Sequence, residues 1–342
     1  MGVGSTADGY RVRCRIADKT SADPPKRVKH MSKKTKIKKI LRLLTDGDYR
    51  FLVLAGRGRK KNMPAEFFLK RMYRICLGRE LNLENPVTYT EKLQWLKLYD
   101  HREVYTTMVD KYAAKAYVAE RIGEEYVIPL LGAWERVEDI DFDALPEQFV
   151  LKTSHDSGGI VICKDKTTLD IPAARKKLRY FLKRRYYDHN REWPYKNVKP
   201  RIIAEAYMED SKCGELRDYK FFTFGGVPKV LYIAQGRGRG EPTVADFFDM
   251  DFHHLPFTID HDMADIPPEK PECFEEMKRL AAILSQGTPQ LRVDFYEVDG
   301  RVYFGEMTFF HCSGMEQFHP EEWDRTFGDW VMLPLKNGED LL

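Results

Sequence analysis

Over the first thirty residues apolar positions are few and follow no period, and such a segment is expected to stay disordered. From residue 33 the pattern changes. Ile37, Ile40, Leu41 and Leu44 recur at i, i+3, i+4 and i+7, with Lys33, Lys34, Lys36, Lys38, Lys39 and Arg42 around them. This predicts a short basic amphipathic helix inside an arm spanning residues 31–62. Helical periodicity continues over Pro64–Leu77, Thr90–Tyr99 and Lys111–Ile122, so residues 63–130 read as a helical N-terminal region. Beyond residue 127 the period shortens. Gln148–Lys152, Gly159–Lys164, Arg201–Tyr207, Asp218–Phe224, Pro228–Ala234, Gln290–Tyr296 and Val302–Thr308 are short, rich in β-branched or aromatic residues, and bounded by Gly, Pro or Asp, the marks of strands. Helices are expected between them at Ile171–Tyr187 and Cys273–Gln286. The fold class this predicts is α+β.

Composition changes that picture in three ways. At 342 residues and 43% hydrophobic, the chain can bury one large or two modest cores. No apolar run approaches the roughly 20 residues that span a bilayer, and residues 1–30 lack the apolar stretch of a signal peptide. Six cysteines without a Cys-x-x-Cys pair fit a reducing, cytoplasmic setting without structural zinc or a disulfide framework. The net charge of +3 is unevenly spread: residues 24–61 carry fourteen Lys/Arg against Asp46 and Asp48, residues 1–61 total +13, and residues 62–342 total −10. A basic arm on an acidic body suits an anionic membrane surface at residues 33–44. It suits equally a helix docked on the body with its lysines in water. Nucleic acid is the poorer fit, because the body is acidic and carries no recognised nucleic-acid motif.

The candidate chemistry concentrates late in the chain. Leu291-Arg292-Val293-Asp294-Phe295 and Val302-Tyr303-Phe304-Gly305-Glu306-Met307-Thr308 read as a hairpin turning at Asp299-Gly300. Residues two apart in a strand share a face, so Arg292, Asp294, Glu306 and Thr308 are expected on one sheet face. Two carboxylates, a hydroxyl and a guanidinium there suit Mg²⁺ and phosphate. Upstream, Phe149-Val150-Leu151-Lys152 leads through His155-Asp156-Ser157-Gly158-Gly159 into another strand; glycines let backbone N–H groups approach phosphate, and the lysine adds a point charge. This loop joins two strands and so is not a Walker A loop. Lys111 opens a helix and can aim at the same ligand. The backbone of Glu205, Ala206 and Tyr207 can meet an adenine edge, Glu209 or Asp210 ribose hydroxyls, and Asp218 shares a strand face with Lys220.

In this order the features resemble the ATP-grasp superfamily. Lys111 in Val-Asp-Lys and Lys152 in Phe-Val-Leu-Lys resemble the two phosphate lysines of D-alanine–D-alanine ligase-type enzymes, and Arg292, Asp294 and Glu306 resemble the Arg-x-Asp pair and the metal-bridging glutamate. The runs Asn85-Pro86-Val87-Thr88-Tyr89-Thr90-Glu91-Lys92-Leu93-Gln94-Trp95, His155–Gly159, Arg191-Glu192-Trp193-Pro194-Tyr195-Lys196-Asn197 and Gly305–Thr308 are similar to the TupA-like ATP-grasp family, associated with teichuronopeptide and other bacterial surface polysaccharides. The resemblance implies an ATP-grasp domain at 131–334 with a lid subdomain at about 148–207, followed by a tail at 335–342. It implies ATP and Mg²⁺ as cofactors. It implies a carboxylate–amine ligase acting through an acyl phosphate on an amino acid and an acidic glycan or sugar precursor, located in the cytoplasm or on the inner membrane face. Asp294, Glu306 and Thr308 would hold metal; Lys111, Lys152, Ser157, Gly158, Gly159, Glu205, Ala206, Tyr207, Glu209 and Asp218 would hold nucleotide; Lys220 and Arg292 would stabilise developing charge. Three departures stand out. Thr308 replaces the usual Asn, residues 311–314 read His-Cys-Ser-Gly where ligases often have a Pro-Gly turn, and the usual N-terminal α/β domain is not apparent.

Competing readings remain open on the residues alone. Asp249-Met250-Asp251 can hold metal on a nucleotide sugar, which would make the chain a glycosyltransferase. A kinase would use the same metal and lysines, and a binding module would use none of them catalytically. The cation- and aromatic-rich segment Arg175–Tyr195 suits an acidic polymer or a solvated lid helix. Arg237 and Arg239 suit a carboxylate clamp or a plain loop, and His155 a γ-phosphate contact or a hairpin cap. Gln94, Trp95, Trp193 and Tyr195 are expected to pack the core.

Overall fold

The computed structural model describes residues 33–211, 216–236 and 243–335, with side chains from residue 39. Arg237 and Arg239, residues 1–32 and most of the 335–342 tail lie outside the described residues.

The helical region is built of Lys33–Thr45, Gly47–Ala55, Ala65–Leu77, Tyr89–Tyr99, Glu103–Val109 and Ala113–Ile122. Local chemistry sets their ends. Asp46 accepts from the N–H groups of Asp48 and Tyr49, Thr88 and Glu91 form a capping box, and Gly78 ends its helix in the left-handed conformation at φ 74°. Lys111 falls just before the helix Ala113–Ile122 rather than in its first turn.

Ten strands follow. β1 (Leu130–Trp134), β2 (Phe149–Thr153), β3 (Ile160–Cys163) and β4 (Ile202–Ala206) form an antiparallel sheet in the order β1-β4-β2-β3. β5 (Asp218–Phe224), β6 (Val227–Gln235), β7 (Val244–Phe248), β8 (His254–Leu255), β9 (Gln290–Val298) and β10 (Arg301–Thr308) form a six-stranded antiparallel sheet in the order β10-β9-β5-β6-β7-β8. Two separate cores follow from the two sheets. The small one packs Phe149, Leu151, Ile202 and Ala204 against Leu178 of the helix Ile171–Leu182, together with Val137, Ile140, Phe142 and Leu145. The smaller sheet therefore takes in Leu130–Trp134, which lies before residue 148, because β1 pairs with β4. The large core joins the N-terminal helices to the six-stranded sheet and the helices Phe274–Leu284 and Glu322–Trp330.

The helix expected over Ile171–Tyr187 stops at Leu182, and a short helix Tyr187–Asn190 follows. Arg191 caps it at φ 58° with its side chain buried; the guanidinium donates to the carbonyls of Asp188 (2.7 Å) and Lys60 (2.6 Å) and lies 4.2 Å over Phe68. The arm is thereby fastened to the segment that follows the lid helix. Among the described residues Cys163, Cys273 and Cys312 are free thiols. No helix among the described residues is long and apolar enough to cross a membrane.

Candidate active site

The register of three strands assembles the site. Glu306 on β10 is the cross-strand partner of Asp294 on β9, and Asp294 is the partner of Lys220 on β5; in the next row Thr308 faces Arg292. Cross-strand partners share a sheet face, so the expected grouping of Arg292, Asp294, Glu306 and Thr308 is present, with Lys220 added from the third strand. Two-residue spacing within each strand does not by itself bring the two strands' residues to the same face. The turn at Asp299 (φ 51°) and Gly300 (φ 73°) pairs Val298 with Arg301, and a regular ladder from there would set Asp294 opposite Gly305 and turn Glu306 to the other face. A β-bulge between Phe304 and Glu306 shifts the register by one residue.

Arg292 lies at the centre of this group. Its Nε donates to Asp294 Oδ1 (2.7 Å) and its Nη2 to Asp294 Oδ2 (2.7 Å), Glu306 Oε1 (3.1 Å) and Thr308 Oγ1 (3.0 Å). Lys220 donates to Asp294 Oδ2 (2.5 Å) and lies 3.4 Å from Asp218. The buried Asp294 therefore already meets two cations, and the Thr308 hydroxyl sits between Arg292 and Glu306. Glu306 is the open member: its side chain is 38% exposed, with Oε2 3.7 Å from Lys111 Nζ. Burial would raise its carboxyl, but Lys111, Arg292, Lys220 and Lys152 outweigh burial and hold it at about 2.

The smaller sheet supplies the facing wall. The Lys111 amide donates to Ser154 O (3.1 Å) and its ammonium to Asp156 O (3.1 Å), which ties the residue to the β2–β3 loop. Ser157 is exposed at the loop tip, and Gly158 adopts φ 103°. A Cβ on Gly159 would stand 2.0 Å from Thr153 Oγ1 and 2.8 Å from Phe181, so only glycine lets the loop pack this closely. Beneath the loop, His155 Nδ1, both Asp156 carboxylate oxygens and Arg184 Nη1 are buried without a hydrogen-bond partner. Burial pushes the Asp156 carboxyl up to about 6, against the pull of Arg184 and Lys111. His155 Nε2 meets Arg184 O at 3.0 Å.

Several expected roles change in detail. Glu205 is not only backbone: its buried carboxylate pairs with both Lys115 and Lys152 at 2.6 Å. Burial opposes its charge, but the two lysines keep the carboxyl below its ordinary range. Lys152 thus reaches the cleft already partnered, and Lys115, one turn beyond Lys111, is a site residue the sequence reading missed. Ala206 ends β4, Tyr207 follows it, and the Ala206 amide donates to Pro129 O (3.1 Å). Glu209 accepts from Lys164 (3.1 Å) on the surface, and Asp210 accepts from the Asp299 amide (3.2 Å). Asp251 and His253 lie within metal-ligand distance of Asp249, but the Asp249 carboxylate is already engaged. It accepts from the amides of Asp251 (2.9 Å) and His253 (2.8 Å) and closes the β7–β8 turn, at the other end of the sheet order from β10. In the Arg175–Tyr195 segment, Arg175 donates to Val137 O and Ile140 O, and Arg179 pairs with Glu138, so much of its charge is spent inside the lid. Gln94, Trp95 and Tyr195 are packed as expected: Gln94 and Trp95 are buried and Tyr195 lies against the core, while Trp193 stacks on His101 at 4.8 Å.

The His311–Gly314 turn is a further element the sequence did not explain. Cys312, Ser313 and Gly314 all have positive φ, at 46°, 57° and 61°. Gln94 Nε2 donates to Ser313 O (3.1 Å) and Gly314 O (3.0 Å), Lys97 Nζ donates to Ser313 O (2.7 Å), and the Ser313 hydroxyl donates to Glu192. Burial lowers Lys97 to about 8 despite Glu192. Arg292 Nη1 donates to His311 Nδ1 at 2.8 Å. A guanidinium cannot accept, so the neutral ring carries its proton on Nε2, which faces Cys312 Sγ at 3.5 Å. Asp260, His311 and Cys312 lie within metal-ligand distance of one another, but a protonated Nε2 opposes a metal ion there. Burial and the positive Arg292 lower His311 from 6.5 to about 3. Its folded value lies below its unfolded one, so its contribution to stability is full above about pH 6.5 and is lost as the pH falls toward 3. His311→Asn is expected to flatten the stability–pH curve across that window in urea titrations; an unchanged slope would reject the assignment. His189, lowered to about 4 by burial and Arg184, keeps its own share of the slope in both proteins.

Two antiparallel sheets, with Lys152 on one, Lys111 tied to its loop, and a carboxylate–guanidinium row on the other, fit an ATP-grasp fold. A family model described as TupA-like ATPgrasp matches residues 91–332, and the chain belongs to that family. A search of curated proteins finds no match. Among solved structures, the chain is similar to D-alanine–D-alanine ligase from Bacillus anthracis, at 15% identity and a TM-score of 0.39 over 97% of this chain and 94% of that one. The match to that ligase complexed with ATP has 14% identity and a TM-score of 0.35 over 64% of this chain, and it spans 57% of that chain. An ADP complex of N5-carboxyaminoimidazole ribonucleotide synthetase matches at 13% identity and a TM-score of 0.40 over 76% of this chain and 66% of that one. Scores at this level add nothing to the fold assignment, which rests on the family match and the topology.

Proposed function

We propose that the chain is an ATP-dependent carboxylate–amine ligase that works through an acyl phosphate and joins an amino acid to a uronic-acid-containing glycan. The observation that carries the ligase reading is the row Glu306–Asp294–Lys220 with Arg292 beneath it, facing Lys111 and Lys152. The residues fit Mg-ATP: Glu306 offers a hard, ionised oxygen to the cleft, and Arg184 Nη1 is a buried cation without a hydrogen bond beside the glycine loop, 3.7 Å from the Asp156 carboxylate. Asp294 is a weaker metal ligand than Glu306, because Arg292 and Lys220 take three of its lone pairs. Bound Mg²⁺ would neutralise phosphate charge during transfer. Lys111 and Lys152, with the Ser157–Gly159 amides, would hold the phosphates. Lys220 and Arg292 are fixed by Asp294 before substrate arrives, so their charge needs no reorganisation as negative charge develops on the carboxylate and then on the tetrahedral oxyanion. The glycan acceptor rests on the family's setting.

Thermal unfolding with Mg-ATP, Mg-UDP-sugar and no ligand tests this reading on wild type and Glu306→Ala. A ligand at about 100 times its Kd adds roughly 2.7 kcal/mol, which moves Tm by several degrees. A shift with Mg-ATP that vanishes in Glu306→Ala is the expected result. A shift only with the UDP-sugar sinks the proposal. Product analysis then separates a ligase, which releases free phosphate, from a kinase, which leaves a phosphorylated acceptor.

A further inference from the structure

The basic helix Lys33–Thr45 poses a question the cleft does not answer. An amphipathic helix docked on a protein body turns its apolar stripe inward. This one does the reverse. Ile40, Leu41 and Leu44 are 58%, 59% and 71% exposed, at positions that share one helix face. Its contacts with the next helix of the arm are made by other groups: Leu43 is half-buried, Arg42 lies 4.2 Å over Tyr49, and Arg42 pairs with Asp46 at 3.1 Å. A fourth exposed apolar side chain, Phe67 at 71%, stands one helical turn from Arg71, whose guanidinium donates to Gly47 O (3.2 Å) just past this helix.

Charge indicates what covers that face. Residues 24–61 hold fourteen Lys/Arg against two Asp, whereas residues 62–342 total −10. The acidic body repels an anionic surface and the arm attracts one, so only the arm is complementary to it. A soluble polyanion would use the lysines but has no use for exposed leucines; a bilayer with anionic headgroups uses both. We infer that the helix Lys33–Thr45 seats the protein on an anionic membrane surface, with Ile40, Leu41 and Leu44 entering the headgroup–acyl boundary and the surrounding lysines on the headgroups.

The rest of the arm is built to transmit that contact rigidly. Phe51, Leu52 and Ala55 of the next helix are buried in the large core. Arg191 holds the carbonyls of Lys60 and Met63, and the adjoining Glu192 accepts from Ser313 in the turn beside Arg292. A membrane-seated arm would therefore fix how the cleft faces the bilayer, and would favour an acceptor presented at that surface. The inference stands on the arm alone and does not depend on the ligase reading.

The test is flotation of the full chain with vesicles of phosphatidylcholine alone or with added phosphatidylglycerol, for wild type and Leu41→Ser/Leu44→Ser. Wild type is expected to float only with the anionic vesicles, and less so at high salt. The double variant is expected to bind them about a hundredfold or more weakly with an unchanged Tm. Absence of binding overturns the inference. So does anionic binding of equal strength in the double variant, which would mean charge alone. Dimerisation of wild type that the double variant loses, without vesicle binding, would assign the face to a second copy of the chain and overturn it as well.

Discussion

Arg292→Ala is expected to destabilise the protein by about 3–5 kcal/mol, a fall in Tm on the order of 10 °C. The guanidinium is buried and serves four partners at once: Asp294 through two nitrogens, Glu306, Thr308 and His311. Its removal leaves Asp294, itself 1% exposed, with Lys220 as its remaining cation partner on this face. Truncating one member of a buried ion pair costs more than the pair contributes, because the partner's charge stays behind without compensation. Two further variants separate that cause from simple loss of packing. Arg292→Lys should recover little, because a single ammonium cannot reach the fork of acceptors that a planar guanidinium spans. Arg292→Ala/Asp294→Asn should recover part of the stability, because the stranded carboxylate is gone, while any Mg-ATP shift stays lost. Urea unfolding of the four proteins is the measurement. A loss under about 1 kcal/mol for Arg292→Ala would mean that water reaches Asp294 and that the site is far wetter than its burial implies.

The hydrophobic pattern made legible those elements whose own side chains form a core. β5 and β9 are buried almost throughout, and their apolar runs were read correctly to within two residues. The helix Tyr89–Tyr99 was legible because Leu93, Trp95 and Leu96 are core residues. β1 was not, because most of its side chains face solvent; backbone pairing to β4 holds it, and backbone pairing leaves no mark on composition. The burial of Arg191, among the largest fully buried side chains, has no mark in the sequence. Only the tertiary approach of Lys60 and Met63 carbonyls makes a buried guanidinium tolerable there. The candidate site divides the same way. Lys111, Lys152, Lys220, Arg292, Asp294 and Glu306 were nameable from residue type and spacing. Lys115, Arg184 and His311 depend on which groups the fold brings against them. The nearest signal was the i, i+4 spacing of Lys115 from Lys111 and the unusual His-Cys-Ser-Gly turn, and neither specifies a partner.

Gly305→Val is expected to abolish the Mg-ATP shift in Tm while the hairpin survives. The two-residue turn pairs Val298 with Arg301 and carries that register to Phe304 opposite Phe295. Continued one step, it would bring Gly305 to Asp294 and send Glu306 to the opposite face. The bulge absorbs Gly305 as the extra residue and delivers Glu306 to Asp294 and Thr308 to Arg292. A Cβ at 305 would stand 3.0 Å from the Asp294 carbonyl oxygen and 3.2 Å from the Tyr296 ring. The backbone contact cannot move aside as a flexible side chain could, so a branched side chain must strain the bulge or expel it. The cost is about 1–3 kcal/mol for the crowding, together with loss of whatever binding depends on Glu306 facing the cleft. The same arithmetic makes a second expectation that intuition would not. Deleting Gly305 removes the extra residue and lets a regular ladder pair Glu306 with Asp294 and Thr308 with Arg292. The deletion should therefore keep more of the Mg-ATP shift than the substitution, although it removes a residue from the middle of a strand. Thermal unfolding of both variants with and without Mg-ATP decides it. A full shift in Gly305→Val, or a shift lost more completely on deletion than on substitution, would show that the bulge does not set the face on which Glu306 lies.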